Sequence, residues 1–186
     1  MFKKKTLLLG ACVLTLFGYL GFDTIFVTYY LTAISDPKND ANEKERIEKK
    51  LIEIAERRPD IFLGHARSNR IDYVYSAVNV LGRISQPKAI DSLRAIPFWG
   101  PTGEICSFPH PFAALELDRL NASGATDGIV YYFFNEPKVQ DRIVQRIQEN
   151  PEKYRGSFQR FLAGSQGPAR ERYLKIWRWC DPGYRE

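Results

Sequence analysis

Cys106 and His110 stand four residues apart in "PFWGPTGEICSFPHP", residues 97–111, with Trp99 and Glu104 in the same stretch. Thiol, imidazole and carboxylate are the groups from which a zinc site or a nucleophilic pair is built. A zinc site needs three or four ligands, and one Cys with one His falls short, His65 being the only other histidine. A nucleophilic pair needs an orienting third group and an oxyanion hole, and neither is visible in the sequence. No catalytic residue, metal or cofactor is therefore assigned. Long ordered loops are disproportionately functional, which leaves two readings. Either Phe98, Trp99 and Phe108 pack over a gap between helices, or Phe98, Trp99 and His110 form an exposed face that anchors a partner.

A second candidate lies at the C-terminus, in "GPARERYLKIWRWCDPGYRE". Arg170, Arg172, Lys175 and Arg178 alternate there with Tyr173, Trp177 and Trp179. Basic residues interleaved with aromatics can grip single-stranded nucleic acid, sit against anionic headgroups, or form the solvated side of a packed helix. Arg170, Arg172 and Arg178 are taken as a second partner-binding face, with a protein the expected partner and nucleic acid disfavoured. Cys106 and Cys180 can pair in an oxidising compartment, and they read equally well as two free thiols.

These residues belong to a chain of 186 with a net charge of +5. The charge is about +2 over residues 1–35, −2 over 36–137 and +5 over 138–186. Hydrophobic residues at 44% and charged residues at 26% are the balance of a globular protein and exclude a disordered one.

The first 35 residues differ from the rest. "MFKKK" precedes 17 uncharged residues, Thr6 to Phe22; Asp23 interrupts, and "TIFVTYYLTAI" continues to Ile34. A basic flank before an apolar run of bilayer-spanning length predicts an uncleaved signal anchor crossing the membrane at about residues 6–26. Lys3, Lys4 and Lys5 favour a cytoplasmic N-terminus with the body outside. Asp23 would then sit near the outer interface, with Tyr29 and Tyr30 behind it as belt residues. The alternatives are cleavage after Ser35, giving a secreted domain, and lipidation of Cys12 within "Leu9-Gly10-Ala11-Cys12".

Residues 36–186 read as one domain of amphipathic helices. Ile47, Leu51, Ile54 and Ala55 make one stripe, and Ile71, Val74, Tyr75, Val78 and Leu81 make the next. Pro59 ends the first helix or lies just past it. Pro87 suits the first turn of a third helix, whose apolar face is Ile90 and Leu93. Downstream stripes are Ala113, Leu117 and Leu120; Val139, Ile143 and Ile147; Tyr154, Phe158, Phe161 and Leu162; and Tyr173, Ile176, Trp177 and Cys180. Trp177 and Trp179 are expected to close the stack. Ala77, Leu81, Ile84 and Ala89 superpose on Ala113, Leu117, Leu120 and Ala125 with a constant offset of 36, a period within the range of repeat architectures.

The first copy, "AVNVLGRISQPKAIDSLRAI" at residues 77–96, resembles the HEAT-like repeat of the kind found in phycobilisome lyases. Ala77-Val78, Leu81-Gly82, Ile84, Pro87, Ala89-Ile90 and Leu93 carry the likeness. Gln86 replaces the usual Asp, and in the second copy Asp118 and Ser123 stand where glycine and proline belong. The resemblance implies an all-α, short right-handed α-solenoid of helix pairs. It also implies scaffolding or protein binding at the cell envelope, with an enzyme or lyase-like protein using Cys106 and His110 as the alternative.

Overall fold

The computed structural model describes residues 21–34, 40–68, 70–98 and 106–185, and all regular structure among them is helical. Residues 21–34 are helical (α1) and are followed by α2 (Ala41–Arg57), α3 (Pro59–Ala66), α4 (Ile71–Leu81) and α5 (Gln86–Arg94). Then come α6 (Pro111–Arg119), α7 (Ala125–Asn135), a 3-10 turn (Pro137–Val139), α8 (Gln140–Glu149), α9 (Pro151–Ala163) and α10 (Gly167–Cys180). The chain forms two compact units, Met1–Lys88 and Ala89–Glu186, where the sequence reads as one helical domain. The division falls inside α5, just after the exposed run Ser85-Gln86-Pro87-Lys88.

In the first unit, α2 starts where the Asp40 side chain accepts from the Glu43 amide at 2.8 Å, a carboxylate N-cap. Its buried residues are Ile47, Leu51, Ile54 and Ala55, the stripe that the spacing predicts. Pro59 does end that helix, yet it also opens α3 from the N1 position, where a missing N–H costs nothing. That helix, with Ile61 and Phe62 buried, fills the stretch between the first two stripes, where the apolar spacing marks no element. The inner face of α4 is Val74, Ala77, Val78 and Leu81, while Ile71 and Tyr75 point outward. The turn after α4 and the first turn of α5 are held to α2: Arg83 meets Glu48 at 2.9 Å, and Lys88 Nζ donates to the Glu56 carbonyl at 2.6 Å. The Ser85 amide also donates to the Glu56 carboxylate.

Of the expected span 6–26, residues 6–20 and Cys12 lie outside the described residues. The remainder is the start of α1, which runs on to residue 34 and packs on the first unit with Val27 and Leu31 fully buried. Thr28 Oγ1 lies 3.2 Å from His65 Nε2 and Thr32 Oγ1 lies 2.9 Å from the Tyr73 hydroxyl. Lys50 sits over the Tyr30 ring. Tyr30 is thus turned toward the protein, and only Tyr29 of the expected belt pair is exposed. Among the described residues no helix is long and apolar enough to cross a membrane.

The second unit has an aromatic centre. Phe158 stacks on Trp177 at 4.1 Å between ring centroids, with Phe133 meeting Trp177 edge-on at 6.1 Å. Helix α6 ends in a Schellman motif, with the Ala122 amide donating to the Leu117 carbonyl and the Asn121 amide to that of Asp118. Asn121 takes the left-handed conformation at φ 52° that this cap demands.

One turn before that cap, the Asp118 carboxylate is buried, with 1% of the residue's surface exposed. It accepts from Arg146 Nη1 at 3.0 Å and from the Tyr154 hydroxyl at 2.8 Å, and Lys153 Nζ lies 2.9 Å from its other oxygen. One carboxylate therefore joins α6, α8 and α9. Removing one member of a buried charge cluster strands the others. Asp118→Ala should cost about 3 kcal/mol, discounted for the partly exposed Arg146 and Lys153, against about 1 kcal/mol for Tyr154→Phe. Urea unfolding followed by tryptophan fluorescence reads the second unit, which holds all three tryptophans. Equal losses in the two variants would show that the charge cluster is not what joins these helices.

Candidate functional site

The foot of the 97–111 loop is closed by backbone. The His110 amide donates to the Ile96 carbonyl and the Cys106 amide to the Phe98 carbonyl, both at 2.9 Å. Tyr132, buried on α7, donates its hydroxyl to the Pro109 carbonyl at 2.7 Å and lies 3.2 Å from that of Phe108. Phe98 packs edge-on to both His110 and Tyr132, and Phe108 lies against Tyr131. Phe98 and His110 are thus brought together, but half-buried in an aromatic cluster rather than displayed as anchors. Trp99 and Glu104 lie outside the described residues.

His110 has a structural task. It caps α6, its Nδ1 accepting from the Phe112 amide at 3.4 Å. An accepting Nδ1 requires a neutral ring. Burial, aided by the nearby charge of Lys138, lowers the imidazole pKa to about 4. Burial likewise raises the Tyr132 hydroxyl well above its ordinary value.

Cys106 and Cys180 are free thiols, so the disulfide that the sequence allows is not formed. Cys180 is buried at the end of α10, and that burial pushes its thiol up to about 11, the reverse of an activated nucleophile. Among the described residues no three His, Cys, Asp or Glu side chains gather as a metal set. Beside the loop foot lies a cleft of about 90 Å³, lined by Arg94, Phe108, Leu117, Ala125 and Gly128 among others. It is smaller than ordinary ligand pockets.

The C-terminal basic residues divide by helical phase. Arg170 is half-buried, and its Nη1 donates to the Leu162 carbonyl at 3.1 Å, fastening the end of α9. Arg172, Lys175 and Trp179 fall at i, i+3 and i+7 on the outer face of α10, with Arg178 at its edge. All four are exposed, and Trp179 keeps 65% of its surface in solvent. Trp177 closes the core as expected, but Trp179, two residues on, cannot share its face. Arg172, Lys175 and Arg178 make no ion pair among the described residues, and Glu171 on the same side pairs with none of them.

No family model, curated protein or solved structure matches this chain.

Two buried carboxylates have no signature in the sequence. Asp118 is one, and Asp181 is the other. Arg155 grips Asp181 with a two-pronged fork, Nε to Oδ2 at 2.7 Å and Nη2 to Oδ1 at 2.9 Å, holding its pKa below the usual range. Partners 26 residues apart leave no local sequence signal.

The His110 shift has a consequence for stability. Its folded pKa is depressed, so the unfolded chain takes up a proton first as the pH falls below about 6.5, and stability declines until the folded ring also protonates near 4. The full difference is roughly 3 kcal/mol. Asn can keep the cap without titrating. Urea denaturation between pH 7 and pH 4 should therefore show a shallower stability loss for His110→Asn than for the native protein. Parallel curves would mean that His110 is not held neutral.

Proposed function

We propose that this protein is a membrane-anchored helical adaptor whose C-terminal unit captures an acidic partner protein on the outer face of α10. The observation that carries the reading is that face itself: Arg172, Lys175 and Arg178 are exposed, and among the described residues unpaired, around an exposed Trp179. A large aromatic ringed by unneutralised cations is the composition enriched where one protein binds another. Unpaired cations on a rigid helix also steer an oppositely charged partner and set its orientation.

Two further features support the adaptor role. Two successive helices lie at both copies of the 36-residue spacing, α4 then α5 and α6 then α7. Ala77, Leu81, Ala89, Ala113, Leu117 and Ala125 are all buried, as a HEAT-like scaffold would need. The basic flank and apolar run at the N-terminus supply the tether, placing the body on the outer side of the membrane.

The full chain and its Arg172→Glu/Lys175→Glu/Arg178→Glu variant, solubilised in mild detergent, form the test. The native chain should retain an acidic envelope protein whose recovery falls roughly tenfold or more with the variant. The unfolding midpoint should be unchanged, because none of the three side chains holds the fold. Equal recovery by both chains would sink the reading. Retention by phosphatidylglycerol vesicles that requires these cations, with no protein captured, would move the face to a lipid-binding role instead.

A further inference from the structure

Helix α1 has two apolar faces, and the first unit covers only one of them. Val27 and Leu31 are fully buried against that unit. On the opposite side Phe22, Ile25 and Tyr29 fall at i, i+3 and i+7 with 66%, 71% and 68% of their surfaces exposed. Three large side chains in one stripe are more than the scattered exposed hydrophobics of an ordinary soluble surface, and such a stripe requires an occupant.

The direction from which the chain arrives favours one occupant. The stripe begins at Phe22, the last residue of the uncharged run that starts at Thr6, immediately behind Lys3–Lys5. A run of that length and flank is suited to a bilayer, so its outer end would fall where α1 begins. Tyr29 is a residue type enriched at the headgroup boundary, and Phe22 is one found on the apolar face of interfacial helices. Asp23, the one carboxylate within the apolar stretch, does not interrupt the stripe. It is half-buried on the side turned toward the first unit, where its charge acts on Arg58, itself paired with Asp60 at 2.7 Å. The costly charge is thus kept from the lipid-facing side.

We propose that the Phe22–Ile25–Tyr29 face of α1 is embedded in the outer membrane–water interface as a collar. The opposite face, through Val27, Leu31, Thr28 and Thr32, fastens the first unit directly to that collar. The unit would then ride on the bilayer surface at a fixed height and orientation, without a flexible stalk. This inference rests on the anchored reading above and adds to it where the tether ends and how it grips the body.

Photo-crosslinking in vesicles tests it with the full chain. Benzoylphenylalanine replaces Ile25 or Tyr29, and Glu45, an exposed residue of α2, serves as the control position. The proteins are reconstituted in vesicles of phosphatidylcholine and phosphatidylglycerol, irradiated, and weighed intact. The expected result is a single-phospholipid adduct at positions 25 and 29 and none at 45. A crosslink without mass gain would mean that the chain's own N-terminal segment covers the stripe, and a doubled mass would mean a second copy; either overturns the proposal. Failure of the full chain to float with the vesicles would remove the membrane anchor and the collar together. Flotation without lipid adducts at 25 and 29 would remove the collar alone.

Discussion

The Asp118 carboxylate is the constraint on which the second unit's arrangement turns. A buried charge is tolerated only when opposite charges and donors compensate it, so the positions of Arg146, Lys153 and Tyr154 are coupled to one another through it. Helices α6, α8 and α9 cannot slide independently while that cluster is intact. The apolar packing of Phe158, Trp177 and Phe133 supplies bulk attraction, which is non-directional. The carboxylate supplies register. Asp181 does the same for the chain end, since its fork with Arg155 ties the residue after α10 back to α9.

That rigidity bears on how the outer faces can act. Recognition by a preorganised helix avoids much of the ordering cost that a flexible segment would incur. Arg172, Lys175, Arg178 and Trp179 project from a helix whose inner residues Leu174, Trp177 and Cys180 are fixed in the core. The same logic applies to α1, where buried Val27 and Leu31 hold the exposed stripe in one orientation. The 97–111 loop is different. Its foot is pinned by backbone bonds and by Tyr132, and Phe98 and Phe108 are spent on that closure.

The helices were legible wherever apolar spacing was long enough to define a face. Ile47, Leu51, Ile54 and Ala55 are all buried, as are Ile143 and Ile147 and the set Tyr154, Phe158 and Leu162. Short α3 was not, because a proline after a helical stripe signals a stop as readily as the N1 position of a new helix. The faces of α10 were legible in principle: residues two apart on a helix point some 200° apart, so Trp177 and Trp179 could not both close the core. The carboxylate clusters were not, since each depends on partners brought close only by the fold. Exposure of the α1 stripe was equally hidden, because an apolar run displays no side until something packs against it.

The two copies of the 36-residue spacing show how packing and turn chemistry separate. Buried alanines and leucines recur at the same offset, so the apolar phase is kept. The turns differ. Helix α4 ends at Leu81 with Gly82 as its cap in right-handed conformation, whereas α6 runs on to Arg119 and reverses through Asn121 and Gly124, both at positive φ. Extending the second helix by two residues brings position 118 inside it, facing α8 and α9. A glycine there would leave Arg146, Lys153 and Tyr154 without their common acceptor. Asp118 at this position is therefore explained by the longer helix that contains it and the charges it gathers, and the two copies of the spacing differ in their turns while keeping the same apolar phase.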